Sequence, residues 1–290
     1  MALQGGGDTM SLTLNTNLPA LNSLRHVNIN QNRLAQAIER LSSGLRINGA
    51  SDDPAGLAIV NRAKAQISGL QQAQQNVTTG ISMLQISDGA MSTIITILQD
   101  IRTSAVQSSN GTNTSLDRAA IQSEVNTLLA ELNRVASSTQ YNTIKLTNGS
   151  LASGTGNLVF QVGPNGTGND RITMNIADMR ASALDVSSVN VSTASAATAA
   201  IAQVDSAINA VSSAQTNVGA NLTRLSNVSL LLGITEQNYE AARSAIEDAD
   251  LAEEVVNFTK SQLLVQSGTA FLAQANVLPG VVFSLLVGNK

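Results

Sequence analysis

A mainly α fold is predicted for this chain: a long antiparallel helical bundle or coiled-coil rod, with a small β-hairpin region and paired N- and C-terminal helices. Three observations carry that reading: an aliphatic composition nearly free of aromatics, long runs of heptad spacing, and a softer amphipathic segment at each end. Aromatic residues make up 2% of the 290 residues and Trp is absent. A thick globular core recruits large rings for bulk. Slender helices can instead be packed by aliphatic side chains along a seam. Charged residues, at 12%, are about half the usual share.

The first long helix is read from Ile67, Leu70, Gln74, Val77, Ile81, Leu84, Asp88, Met91, Ile95, Leu98, Arg102 and Ala105, whose spacing alternates three and four. A second run follows through Ile121, Val125, Leu128, Leu132 and Val135. The third is Ile201, Val204, Ile208, Val211, Gln215, Val218, Leu222, Leu225, Ser229, Leu232, Glu236 and Tyr239. At 1.5 Å rise per residue, the first and third helices each extend roughly 60 Å or more. Between the second and third runs the period changes to two. Leu158, Phe160 and Val162 alternate, residues 163–170 supply Gly, Pro, Asn and Asp for a turn, and Ile172, Met174 and Ile176 alternate again. This predicts a β-hairpin with a long loop. The loop lacks the Gly-Lys-Ser/Thr ending of a phosphate cradle. Residues 185–200, rich in Ser, Thr and Ala, read as a linker into the third helix.

The two ends form a separate pair. Leu24, Val27, Gln31, Leu34, Ile38, Leu41 and Leu45 keep the heptad near the N-terminus, and Gly44 and Gly49 then interrupt it. Asp53 is an N-cap candidate for the restart, with Pro54 at the first helical position. Leu251, Val255, Phe258, Gln262, Val265, Thr269 and Leu272 make the matching seam near the C-terminus. Residues 11–50 carry Arg25, Arg33, Arg40 and Arg46 against Glu39, while Glu247, Asp248, Asp250, Glu253 and Glu254 outnumber Lys260 and Lys290 in residues 245–290. Two readings of the acidic cluster stand side by side: favourable placement in the first turn of a helix, and docking against the basic N-terminal helix.

Several function classes lose their support. The net charge is −4 and basic residues are scattered, so the electrostatic footprint of nucleic-acid binding is missing. No apolar run of the roughly 18 residues that cross a bilayer is evident, so membrane insertion is not expected. The polar faces are rich in Asn, Gln and Ser rather than Lys, which disfavours a membrane-active amphipathic protein. Residues 1–10 resemble no Sec-type signal peptide. The single histidine, His26, lies off the seam and belongs to no HExxH motif. Asp52 and Asp53, like Asp248 and Asp250, suit capping better than a calcium site. No cofactor, metal or catalytic residue is expected.

The stretch from Leu41 to Ile59, LSSGLRINGASDDPAGLAI, resembles the N-terminal signature of bacterial flagellins. Gly80-Ile81-Ser82, Asp88-Gly89-Ala90, Gln140-Tyr141-Asn142, residues 245–250 and residues 272–276 extend the likeness over residues 11 to about 286. The resemblance implies a minimal flagellin without large outer domains, polymerising into a helical homo-oligomeric filament for motility. It implies residues 11–52 and 243–290 as helices of an inner coiled-coil domain. Residues 53–242 would then form a rod of long helices, with the hairpin at about 141–185, and residues 1–10 an extension. Leu24, Val27, Leu34, Ile38, Arg40, Leu41 and Arg46, with Leu251, Val255, Phe258, Val265 and Leu272, are the expected assembly residues. The family further implies an extracellular filament exported without a Sec signal, an export chaperone, a filament cap and hook-junction proteins as partners. A hook–filament junction protein of the same superfamily is the nearest alternative. Flagellins sensed by the vertebrate Toll-like receptor for flagellin present an Arg and a Leu where this chain has Asp100 and Ser104, with the acidic partner matched by Glu124. That departure implies weak receptor activation.

Overall fold

The computed structural model describes residues 16–288, with α1 Leu18–Ser43, α2 Pro54–Ser109, α3 Ser115–Ser138, α4 Ala194–Glu247 and α5 Leu251–Val287. The anticipated extension at residues 1–10 lies outside the described residues. Two compact units emerge: one from the described residues up to Lys64 together with those from Ala241 onward, the other from Ala65–Glu240.

In the first unit, α1 and α5 pair closely, running antiparallel: Asn17 Nδ2 donates to the Ala275 carbonyl at 2.8 Å, and Arg40 bonds Glu254 at 3.0 Å. Helix α1 starts where the Asn17 side chain accepts the Ala20 N–H. It stops at Gly44, whose φ of 72° suits a residue without Cβ and whose N–H returns to the Arg40 carbonyl. The expected cap of α2 is present, since Asp53 Oδ1 accepts the N–H groups of Ala55 and Gly56 at 3.0 and 2.9 Å.

The seam between α1 and α5 is not quite the one expected. Val27, Leu34 and Leu41 do turn inward, as do Phe258, Val265 and Leu272. Their companions, however, are Ala20 and Ala37 on α1 and Glu254, Ser261, Gly268 and Ala275 on α5. Leu24, Ile38, Leu251 and Val255 instead face outward and are exposed. The reason is steric. A Cβ on Gly268 would lie 2.6 Å from Val27 Cγ2, so the helices approach too closely for a large side chain at that position.

In the second unit, α2, α3 and α4 share one aliphatic core with the strands. The expected heptads hold over most of their length: Leu84, Met91 and Leu98 on α2, Val125 and Leu132 on α3, and Val204, Val211 and Leu225 on α4 are wholly buried, whereas the expected seam positions Arg102 and Tyr239 are exposed. An 18-residue window of α2 reaches a mean hydropathy of 1.4, so one helix does pass for a bilayer span by length and composition. This corrects the expectation that no such run exists, although Leu84, Met91, Ile94 and Leu98 of that helix lie in this core. Helix α3 opens on a capping box in which Thr114 and Asp117 bond each other's backbone N–H.

Two small antiparallel ladders lie between α3 and α4, of which only the larger was anticipated. The unexpected one pairs β1 Gln140–Tyr141 with β2 Ile144–Lys145. Its turn puts Asn142 and Thr143 at positive φ, the geometry of a two-residue hairpin turn that Asn favours. The predicted hairpin joins β3 Leu158–Gln161 to β4 Arg171–Met174, with Phe160 opposite Ile172. Phe160 packs on Gly80 of α2, where an added Cβ would meet the ring at 2.9 Å. The expected linker is also more ordered than its composition suggested. Val186, Val189 and Val191 are buried, and α4 already begins at Ala194.

Candidate assembly surface

Pairing α1 with α5 half-buries Leu34, Leu41, Phe258 and Leu272 among small residues and leaves many other large side chains outside. Leu21, Leu24, Ile29 and Ile38 on α1 are exposed, as are Leu251, Val255, Val256, Leu263 and Phe271 on α5, the last at 69%. Isolated exposed aliphatics are normal, whereas this many on one helix pair is unusual for a surface left to water.

A polar clasp holds the base of the pair. Leu45 and Asp248 form an antiparallel bridge, Arg46 N–H donates to the Glu247 carbonyl at 2.7 Å, and Ala249 N–H donates to the Gly44 carbonyl at 3.0 Å. The Arg46 guanidinium, exposed on its outer side, donates to the Ile246 carbonyl at 2.6 and 3.2 Å. Beneath it the Glu247 carboxylate, only 5% exposed, meets Lys64 Nζ at 2.5 Å and Arg243 Nε at 3.7 Å. Both readings of the acidic cluster are realised at once. Glu254 lies in the first turn of α5 and also bonds Arg40, while Asp250 caps that helix by accepting the Ala252 N–H.

Among the twelve sequence-assigned assembly residues, Val27 is buried, and Leu34, Arg40, Leu41, Phe258, Val265 and Leu272 are half-buried within the pair. Leu24, Ile38, Arg46, Leu251 and Val255 are exposed. Sequence reasoning missed Gly268, Ser261 and Ala275. Their seven-residue spacing in small residues was the available signal. Of the positions expected to match a receptor patch, Asp100 and Glu124 are exposed, whereas Ser104 is 6% exposed and is not displayed. His26 is exposed on α1. Asp52 serves the turn before α2, accepting the N–H groups of Asn48 and Gly49. Among the described residues no three His, Cys, Asp or Glu side chains cluster as metal ligands.

Comparison with known proteins agrees with this architecture. The family model described as the bacterial flagellin N-terminal helical region matches residues 14–152, and that of the C-terminal helical region matches residues 201–286. A flagellin of Halalkalibacterium halodurans is 39% identical over 95% of this chain and 100% of its own length. A flagellar filament 33 kDa core protein of Treponema phagedenis is 37% identical over the same shares. Among solved structures, a putative flagellar hook-associated protein from Vibrio parahaemolyticus aligns with a TM-score of 0.56 over 68% of this chain and all of that one, at 16% identity, a likeness of fold alone. With matched helical regions at both ends and relatives aligned over nearly its whole length, the chain belongs to the bacterial flagellin family.

Proposed function

We propose that this structural subunit of the flagellar filament polymerises through the outer apolar face of its α1–α5 pair, each copy covering that face on its neighbours. The observation that carries the reading is the exposure of Leu24, Ile38, Val256, Leu263 and Phe271 on a pair already closed along its inner seam. Burying such side chains releases about 1.5–3 kcal/mol each when complete. The clasp around Glu247 and Arg46 gives the pair a defined base, and its role is orientation more than net affinity. The filament is the location the family supports. Export to the cell exterior through the flagellar channel, with an export chaperone, a filament cap and hook-junction proteins as partners, extends the same reading. The role is structural and not catalytic. The hook-junction alternative gains nothing from a 16% identical likeness, because the relatives aligned over nearly the whole chain are filament proteins.

Deletion of residues 11–45 or 255–290 tests the proposal. Electron microscopy of the concentrated truncated protein should show no filaments, and its circular dichroism should retain a cooperative helical transition from the second unit. Long filaments from either truncated chain would refute assembly through this pair.

A further inference from the structure

Within the second unit, α2 and α4 run antiparallel with apolar seams that repeat every seven residues: Val77, Leu84, Met91 and Leu98 against Val204, Val211, Val218 and Leu225. Such seams do not define one register. A slip of one heptad, about 10 Å at 1.5 Å per residue, sets apolar residues against apolar residues again. No short loop joins the two helices either, because α3 and residues 139–193 intervene. Part of the alignment is set by the connecting segment, since Ser108 near the end of α2 donates to the Val191 carbonyl just before α4 begins and Phe160 packs on Gly80.

The polar interruptions of the seams match each other in that same alignment. Gln74 Nε2 donates to Ser229 Oγ at 2.6 Å, and Gln215 Nε2 donates to Asp88 Oδ1 at 2.9 Å, all four side chains being half-buried. Gln74 and Asp88 stand two heptads apart on α2, and Gln215 and Ser229 stand two heptads apart on α4. Both rungs therefore close in the same register. At the rim, Gln71 donates to Glu236 at 2.8 Å, and Arg102 bonds Asp205 at 2.6 Å. Slipping one heptad in one direction sets Gln74 against Leu222 and Asp88 against Ile208. Slipping in the other sets Asp88 against Leu222, Ser229 against Ile81 and Gln215 against Ile95. Each mismatch leaves a half-buried amide, hydroxyl or carboxylate without its partner, while the apolar positions are indifferent. Buried polar positions are the best-attested means of choosing register among equivalent heptads, at a cost in stability. That cost is visible here, since the Gln74 Oε1 is buried with no hydrogen-bond partner.

We propose that the Gln74–Ser229 and Asp88–Gln215 rungs are a register lock, specifying the alignment of α2 with α4 and thereby which surfaces each subunit presents to its neighbours. The chain has no cysteine, so spin labels can be placed without background. Thr78→Cys and Ser206→Cys put labels on exposed positions well offset along the helix axes, where a one-heptad slip changes their separation by about 10 Å. In the otherwise unaltered full-length chain, pulsed electron paramagnetic resonance should give a single distance. With Gln74→Leu, Asp88→Leu, Gln215→Leu and Ser229→Leu combined, helicity should persist while a second population appears, displaced by about 10 Å. A second variant, Leu222→Gln with Gln215→Leu and Ser229→Leu, moves the α4 amide opposite Asp88 by one heptad and leaves Gln74 to meet Glu236. It should shift population to the longer distance. If the all-apolar variant does not fold, the transplanted one decides. A transplanted variant that keeps only the wild-type distance, or that loses its cooperative helical transition, overturns the proposal.

Discussion

Glu247 shows how much a single side chain can hold together. Its carboxylate is almost wholly buried against Lys64 and Arg243, and its backbone carbonyl takes the Arg46 N–H. Glu247→Ala would remove the buried carboxylate that Lys64 contacts at the base of the terminal pair, and a loss of about 1–3 kcal/mol in unfolding free energy is expected. Arg134→Ala, which removes an exposed pair one helical turn long, should leave the unfolding midpoint unchanged. Asp117 makes a pH prediction. The Thr114 backbone N–H, and then its hydroxyl, hold this carboxyl below the ordinary aspartate value. A carboxyl with a depressed folded pKa contributes stability that is present above its unfolded pKa and lost as pH falls through the folded one. Amide exchange in the first turn of α3 should therefore accelerate below the ordinary carboxylate range, and Asp117→Asn should abolish that pH dependence. At the receptor-patch positions, the unmodified monomer is expected to be nearly silent in a reporter assay for the vertebrate flagellin receptor. Asp100, exposed, would set an acidic charge where a receptor suited to arginine expects a base. Asp100→Arg alone should recover signal, whereas Ser104→Leu enters a buried position and should strain the helix. Strong activation by the unmodified protein would mean that the receptor reads other residues.

At the scale of elements, glycines separate close packing from open surface. Gly268 on α5 meets Val27 so closely that Gly268→Val must force the pair apart, at about 1–3 kcal/mol. The critical concentration for polymerisation should rise. At Gly89 on α2, a Cβ would have nothing within 4 Å of it, so Gly89→Ala should raise monomer stability by roughly 0.5–1 kcal/mol through helix propensity alone. A thermal melt of the two variants should move in opposite directions. The larger hairpin was legible because Phe160, Ile172 and Met174 alternate on one face. The small β1–β2 ladder was not, since two residues per strand carry no period to read.

For the whole molecule, the terminal pair and the second unit differ in what they bury. The second unit has a continuous core of its own, while α1 and α5 close on a narrow seam of small residues with half-buried Leu34, Leu41, Phe258 and Leu272 and leave many large residues outside. An isolated pair of that kind gains little from burial, and its helices are expected to be poorly ordered in the monomer and to complete on assembly. Circular dichroism should show a clear gain of helix upon polymerisation, and equal helicity in both states would defeat this expectation. The heptads of α2, α3 and α4, the Asp53 cap and the β3–β4 hairpin could be read from the chain by itself, because each is a local repeat or a local hydrogen bond. Which side of α1 and α5 faces inward could not. A seam one residue over satisfies the same three-four spacing, and only the approach of Gly268 to Val27 chooses between them. The pairing of Gln74 with Ser229 and of Asp88 with Gln215 was likewise decided only in three dimensions, since a polar interruption on one helix does not name its partner on another.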